Sequence, residues 1–376
     1  MEIGKFVQQP QGFKALVPNT FPPEKRVNLP TESEKIHARA NLLLGKLDGI
    51  TQLLPDLDFF IFMYIRKEAA LSSEIEGTRA TMVDSLDAEV ELSKEIPEDV
   101  DRIIHYIKAM NYGLQRLDDF PLSLRLIREV HRTLLEGTGD APGKTPGEFR
   151  KSQNWIGGTS FKNARYVPPP VEEMKRGLGD LEKFLHEEDT MPPLVKTGLA
   201  HAQFETLHPF LDGNGRTGRL LITFYLCHQG ILEKPVLYLS EYFMRHRETY
   251  FDALHAYHNK SEIMPWLDFF FEGVAAVAER AIDTARNIES LREKDIAKVQ
   301  KLGRRAEVAN KVLKELYKLP IVNVRKVQEW TGQTRQSANS LVNALVDTGI
   351  LEQRNKGEEY ARTFWYKRYL NLFTSE

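Results

Sequence analysis

The residues best suited to chemistry lie in one short stretch, residues 208–219, which reads HPFLDGNGRTGR. His208 can act as a general base near neutral pH, and Asp212 offers carboxylate oxygen to a hard cation such as Mg²⁺. Arg216 and Arg219 are three residues apart, so on a helix they share one face and can both bind phosphate oxygens. This combination predicts phosphate-transfer chemistry.

The glycines of the same stretch fit an anion site. Gly213, Gly215 and Gly218 lack a Cβ atom, so their backbone can approach an anion closely or adopt a positive φ. The apolar run that begins at Leu220 indicates a buried helix starting near Gly215, and a helix start presents unpaired N–H groups. Successive N–H groups in the turn around Asn214 can also form an anion-binding nest.

The stretch resembles the signature of the Fic family, HxFx(D/E)GNGRxxR, at every specified position. Fic proteins are largely helical enzymes, most of which transfer AMP from ATP to a hydroxyl side chain of a target protein. The resemblance implies that His208 deprotonates this hydroxyl, that Asp212 holds Mg²⁺, and that Arg219 lies nearest the γ-phosphate. It also implies that backbone and amide donors of residues 213–215 cradle the α- and β-phosphates. The implied nucleotide-binding residues of the signature are Gly213, Asn214, Gly215, Arg216, Thr217, Gly218 and Arg219.

Residues 72–77, SSEIEG, resemble the Fic inhibitory pattern (S/T)xxxE(G/N) through Ser72, Glu76 and Gly77. In the family, this glutamate lies beside the nucleotide site and pairs with the second arginine of the signature, here Arg219, which it withdraws from the γ-phosphate. A desolvated carboxylate–guanidinium pair is far stronger than an exposed one. The resemblance implies autoinhibition within one chain; the alternative is an exposed carboxylate with Gly77 ending its helix.

Residues 151–170 are the least helical part of this half of the chain. They alternate around Ile156 and Tyr166 with Gly157 between them, which predicts a β-hairpin. The segment resembles the Fic flap, which pairs with an extended segment of the target by strand addition, and residues 147–150, GEFR, resemble the GxFR common before it. Ile156 and Gly157 would then lie near the nucleotide; a solvent-exposed hairpin is the alternative.

Two candidates lie outside these motifs. His201 precedes His208 by seven residues, so a metal site of two histidines and Asp212 is conceivable. Because Mg²⁺ needs no imidazole ligand, we interpret His201 as structural. Tyr250 lies where the family often places adenine contacts and could stack on a purine, although aromatic residues at helical spacing more often belong to the core.

The elements that must position these residues are mainly helical. Residues 1–32 contain several prolines and predict an extended arm held by Phe6, Phe13 and Phe21. Helical periodicity then covers residues 31–50, 57–75, 100–117, 122–135, 171–186, 193–207 and 265–300. We predict an N-terminal helical region over 1–100, with the inhibitory helix at about 57–77, and a Fic catalytic core over 101–290.

Residues 300–376 predict a separate C-terminal unit after a charged connector. Its pattern gives helices at 306–317, 324–331 and 334–348, then strands at 349–353 and 363–366 around a charged turn. That order resembles a winged helix whose third helix would present Arg335, Gln336 and Asn339 to a DNA major groove. Residues 301–376 hold 14 Lys and Arg against 8 Asp and Glu, which supports DNA contact, while protein contacts or dimerisation are alternatives.

Composition sets further limits. The 376 residues suffice for two or three domains, and no apolar run approaches the ~20 residues that span a membrane. The N-terminus lacks a signal-peptide pattern, and the single cysteine, Cys227, allows no intramolecular disulfide, which favours the cytoplasm. The net charge of −2 argues against a protein that binds nucleic acid along its whole length.

The sequence thus predicts a mainly α protein with a Fic-type helical core, a β-hairpin flap and a small winged-helix-like α/β unit. The predicted function is Mg²⁺-dependent transfer of AMP from ATP to a Ser, Thr or Tyr hydroxyl of a target protein, which can be the enzyme itself. One alternative is a DNA-binding regulator whose core only senses a nucleotide, although an intact His208 favours an enzyme. Another is a related enzyme that moves or removes a different phosphate-linked group. A homo-oligomer is compatible with the sequence.

Overall fold

The structure is a computed structural model that describes residues 2–22, 24, 26–52, 57–90, 95–139, 143–187, 191–355, 357 and 362–374. Its helices are α1 (Thr31–Gln52), α2 (Leu57–Ile75), α3 (Met82–Val90), α4 (Glu98–Leu117), α5 (Leu124–Leu135), α6 (Val171–His186), α7 (Pro193–Leu207), α8 (Asn214–His228), α9 (Ser240–Arg245), α10 (Arg247–Lys260), α11 (Ile263–Gln300), α12 (Ala306–Lys318), α13 (Val324–Thr331), α14 (Arg335–Asp347) and α15 (Lys367–Thr374). Its strands are β1 (Gly4–Gln8), β2 (Lys14–Pro18), β3 (Ile321–Asn323), β4 (Glu352–Gln353) and β5 (Thr363–Trp365). The mainly helical fold class is confirmed.

The N-terminal arm forms a hairpin, so the predicted extended arm is wrong. β1 and β2 pair antiparallel, from Gly4 opposite Pro18 onward. Phe13 and Phe21 are buried as predicted. Phe6 is 40% exposed, because it lies on β1, whose last four residues face solvent.

Helix α7 lies at the centre of the molecule, and every residue from Leu194 to Leu207 is buried. It packs against α6, α8, α10 and α11, as expected of a helix with apolar or small residues on all sides. Helix α8 packs on α7 and also touches α2, α4 and α5. The signature stretch therefore joins two core helices and is anchored at both ends.

The predicted flap hairpin is wrong in detail. Residues 151–170 contain a single antiparallel bridge between Ile156 and Tyr166 rather than two strands. Gly157 and Gly158 both have positive φ, and this bends the chain before a longer ladder can form. The amide of Ile156 donates to the carbonyl of Tyr166 at 2.9 Å.

The C-terminal unit has a three-stranded antiparallel sheet in the order β3-β5-β4. Helix α12 precedes the sheet in the chain, and α13 and α14 connect β3 to β4. It packs on the rest of the molecule, since α12 and α15 contact α2 and β3 contacts α3. The rings of Tyr64 and Phe373 meet edge to face at 5.4 Å, and Arg354 pairs with Asp87. The amphipathic helix α15 follows the last predicted strand and supplies part of this contact. Residues 356 and 358–361 of the predicted charged turn lie outside the described residues, and the winged-helix assignment stays a prediction.

Helix α11 is more than a connector, because it packs along α1 and against α7 and α10. In the described part of the chain, no helix combines the length and the apolar character needed to cross a lipid bilayer.

Candidate active site

His208 directly follows α7 and has a left-handed backbone, with φ 44° and ψ 62°. A residue other than glycine adopts this conformation only where its surroundings enforce it, and such residues cluster at functional sites. Arg150 enforces it here, because its Nε donates to the His208 carbonyl at 3.0 Å and its amide donates to the Pro209 carbonyl at 2.8 Å. Asn154 adds a longer bond to the His208 carbonyl, at 3.4 Å.

The imidazole of His208 is set up as a proton acceptor. The imidazole lines the pocket, and its Nδ1 is buried. Burial, assisted by the positive charge of Arg150, lowers the pKa of His208 to about 4, while Glu76 opposes this shift. The ring is therefore neutral at pH 7, and phosphate charge in the site would raise its pKa towards the working range of a base.

His131 on α5 fixes the signature loop. The amide of Gly147 donates to Nδ1 at 2.9 Å, so Nε2 carries the proton and donates to the Asp212 carbonyl at 3.0 Å. The ring stacks on Phe210 with centroids 3.6 Å apart. Burial lowers the pKa of His131 to about 4, which keeps this neutral tautomer. The sequence analysis missed this residue, although it is a polar side chain on the buried face of α5.

Asn214 closes the loop from within. Its Oδ1 accepts from the Phe210 amide at 2.8 Å and its Nδ2 donates to the Phe210 carbonyl at 2.9 Å. Both ends of the Asn214 amide thus brace the loop, and its contact with phosphate stays a prediction. Gly213 caps α8 with φ 73°, and the Thr217 hydroxyl donates back to the Gly213 carbonyl at 2.8 Å. The backbone N–H groups in the first turn of α8 remain available to an anion, because they have no helical carbonyl to bond.

Asp212 and Arg216 lie beside this helix start. Asp212 Oδ1 accepts from the Gly213 amide at 2.7 Å and lies 4.0 Å from Arg216 Nη2, while Oδ2 lies 3.9 Å from Lys144 Nζ. Asp212 is about one-third exposed. Across the described ranges no group of three or more His, Cys, Asp or Glu side chains could hold a metal. A single carboxylate fits Mg²⁺, which often takes its other ligands from phosphate and water.

Arg219 is held by the end of α2. Its Nη2 lies 2.8 Å from Glu76 Oε1, and Nη2 and Nε donate to the Ser72 carbonyl and hydroxyl, both at 2.8 Å. The Arg219 side chain is 2% exposed and that of Glu76 is 42% exposed. Burial alone would raise the pKa of Glu76, but the charge and hydrogen bond of Arg219 lower it overall. This is an ionised pair, as the pattern of Ser72, Glu76 and Gly77 predicted.

Glycine allows close approach where the pair meets α8. A Cβ on Gly215 would lie 2.2 Å from Glu76 Oε1 and 2.9 Å from Arg219 Nη1. Gly77 has φ 101° and turns the chain immediately after Glu76. The chain is thus shaped for close approach of this carboxylate to the helix start.

One pocket of about 620 Å³, including its open mouth, joins these groups. The predicted site residues that line it are Glu76, Ile156, His208, Gly215, Arg219 and Tyr250.

Residues 121–226 match the model of the Fic/DOC family, and residues 35–115 match the model of the Fic/DOC family N-terminal region. This chain carries a Fic/DOC domain. Similar proteins include protein adenylyltransferase Fic of Aedes aegypti, 32% identical over 179 residues, and that of Culex quinquefasciatus, 31% identical over 179 residues. Each match covers 47% of this chain, and it spans about a third of the relative's length, 32% and 31%.

Solved structures agree on the fold. A Fic family protein from Desulfovibrio desulfuricans G20 has a TM-score of 0.58 at 16% identity and covers 91% of this chain and 98% of its own. Fic-1, residues 134–508, from C. elegans has a TM-score of 0.51 at 22% identity, covering 68% and 73%. Both place the chain among Fic folds.

Two glycines of the Fic domain that we predicted to bind nucleotide also lie close to neighbouring side chains. A Cβ on Gly218 would lie 2.3 Å from Glu205 Oε1 and 3.1 Å from the Phe204 ring, so Gly218 serves the packing of α8 on α7. Gly157 is absent from the pocket lining, and its Cβ position faces Arg165 at 3.1 Å. Thr217 is buried, and its hydroxyl donates to the Gly213 carbonyl.

Tyr250 and His201 form a buried pair behind the pocket of the Fic domain. His201 Nδ1 donates to the Gly218 carbonyl at 2.8 Å, so its Nε2 accepts from the Tyr250 hydroxyl at 3.0 Å. Tyr250 stacks on Phe243 at 4.5 Å, so one ring face is already covered and purine stacking on that face is ruled out. Burial lowers the pKa of His201 to about 3, and its contacts fit the structural role we gave it.

Proposed function

We propose that this chain is a protein adenylyltransferase that moves AMP from ATP to a hydroxyl of a target protein. One observation carries the proposal: His208, the start of α8 and Arg219 converge on a single pocket. The relatives named protein adenylyltransferase Fic support it over the matched region.

The groups in the site account for each step of the proposed AMP transfer. The target oxygen attacks the α-phosphorus while the bond to the β-phosphate oxygen breaks, and pyrophosphate leaves. The hydroxyl proton passes to the imidazole of His208. The N–H groups at the start of α8 and the guanidinium groups of Arg216 and Arg219 stabilise the phosphate charge, which is the main task in phosphoryl transfer.

Asp212 is the residue that would hold Mg²⁺, through its partly exposed carboxylate. The ion would supply additional neutralisation of phosphate charge. We expect Asp212→Ala to lose the response of the transfer rate to added Mg²⁺ while ATP still binds without metal.

Glu76 restrains the enzyme by occupying Arg219. Three of the hydrogen bonds of Arg219 go to Ser72 and Glu76, so the guanidinium has to exchange the Glu76 carboxylate for phosphate. Because Glu76 is about 42% exposed, it can leave without dismantling the core.

Incubation with α-labelled ATP tests the function directly. The Glu76→Gly protein should label itself or a protein in a lysate, and mass spectrometry should find the mass of AMP on a Ser, Thr or Tyr. His208→Ala in the same background is the matched control. Labelling that survives His208→Ala refutes the assigned base, and exclusive transfer from another nucleotide supports a different phosphate-linked group.

The C-terminal unit supports DNA contact as a second function. Arg335 and Gln336 are exposed in the first turn of α14, while Asn339 accepts a bond from Arg362 at 2.7 Å. A gel shift with genomic fragments, repeated with Arg335→Ala, tests this role. If no fragment shifts at low salt, DNA contact is refuted, and a structural role through the contacts with α2 and α3 remains for this unit.

A further inference from the structure

Glu205 is a buried carboxyl in the pocket that the proposed reaction does not use. It lies in the last turn of α7, is 8% exposed and lines the pocket. Its Oε1 is fully buried and has no hydrogen-bond partner among the described residues. Such atoms are rare in native proteins because they cost free energy, so they mark a binding position or a group that changes state.

The room for this carboxyl is provided by Gly218, whose Cβ would lie 2.3 Å from Glu205 Oε1. Titratable and charged groups face it from each neighbouring element. They are Arg219 on α8, Glu76 after α2, Tyr250 on α10, and His201 and His208 on and after α7.

The charge of Arg219 is felt by two carboxyl groups, Glu76 and Glu205, and its ion pair is with Glu76. Burial raises the pKa of Glu205 to about 8; Arg219 opposes this shift and Glu76 adds to it. At neutral pH Glu205 is protonated, and the charge of Arg219 is left for a group in the pocket.

We infer that Glu205 is a positioning residue that reserves Arg219 for the anion in the pocket. When Glu205 is neutral, Arg219 can pair with Glu76 or with the terminal phosphate of a nucleoside triphosphate. When Glu205 is ionised, its carboxylate competes with them for Arg219. The inference rests on the proposed function, because it assigns the terminal phosphate to Arg219.

The sign of the pH dependence follows from linkage. A phosphate on Arg219 favours the protonated carboxyl, so affinity for ATP is highest at low pH and falls by up to about tenfold per pH unit once Glu205 ionises. Removal of Glu76 lowers the pKa of Glu205, because Glu76 contributes to raising it. ADP lacks the terminal phosphate and should respond less.

The experiment compares the full-length Glu76→Gly chain with Glu76→Gly/Glu205→Gln. Dissociation constants for ATP and ADP are measured by calorimetry from pH 6.5 to 9.5. We expect the first chain to lose about tenfold or more of its ATP affinity between pH 7 and 9, and the second to keep it. Glu76→Gly/Glu262→Gln, altered at an exposed carboxyl before α11, should behave like the first.

Equal pH slopes for the Glu205→Gln chain and its parent overturn the inference. If the Glu205→Gln chain does not fold, the parent decides alone: an ATP affinity that varies no more than the ADP affinity overturns it as well. Absence of ATP binding at every pH would contradict the proposed function itself.

Discussion

The signature loop and the end of α2 meet at the same pocket but are held very differently. The loop is fixed by four side chains from three segments: His131 on α5, Arg150 and Asn154 before α6, and Asn214 on α8. Glu76 reaches the site by one ion pair and remains 42% exposed. The difference shows a rigid frame around the signature loop beside a carboxylate that can move away without disturbing it.

The first way to break this comparison is to remove the base from the frame. We expect His208→Ala to lower the transfer rate about 10²–10⁴-fold, the usual loss for a general base. ATP affinity and the unfolding temperature should change little, because Arg150 and Asn154 hold the backbone carbonyl of His208 and not its imidazole. Transfer rates and ATP binding measured on one preparation check this, and an unchanged rate would refute the assignment.

The second is to loosen the frame at His131. His131→Ala removes two hydrogen bonds and the stack on Phe210. We expect the free energy of unfolding to fall by about 2–4 kcal/mol, together with the transfer rate. Urea unfolding measures this, with exposed His186→Ala as the control. A stable but inactive His131→Ala chain would indicate direct catalysis instead.

A smaller effect is expected on the stability of the folded protein at low pH. Burial lowers the pKa values of His131 and His208 to about 4 and that of His201 to about 3, against about 6.5 unfolded. The unfolded chain then binds more protons, so stability falls as pH drops below about 6.5, by up to about 1.4 kcal/mol per pH unit for each histidine. Thermal unfolding should show lower midpoints at pH 5 than at pH 7. Equal midpoints would mean that these rings are protonated in the folded protein.

The signature and the inhibitory pattern predicted much of the site because each is a local sequence. His208, Arg219, Ser72 and Glu76 meet as expected. His131 and Glu205 were missed, because their roles depend on contacts across 81 residues and on space left by Gly218. The most visible signal was polar side chains on otherwise buried helix faces.

The fold was likewise predictable where the sequence pattern is local and was missed where it depends on distant contacts. Long periodic helices such as α2, α6 and α7 were predicted within a residue. The nine-residue α3 was missed because it is too short to show a clear period. The docking of the C-terminal unit on α2 was missed because no local pattern specifies which surface an amphipathic helix such as α15 covers.

The central claim is that Glu76 restrains the enzyme through Arg219, and a double-mutant cycle tests it most directly. Labelling from radioactive ATP is compared among the unaltered chain, Glu76→Gly, Arg219→Ala and the double variant. We predict that Glu76→Gly labels about tenfold faster or more, the scale of one charged hydrogen bond, and that the double variant is as slow as Arg219→Ala. Labelling by Glu76→Gly no faster than by the unaltered chain, or a gain that persists without Arg219, would contradict the account.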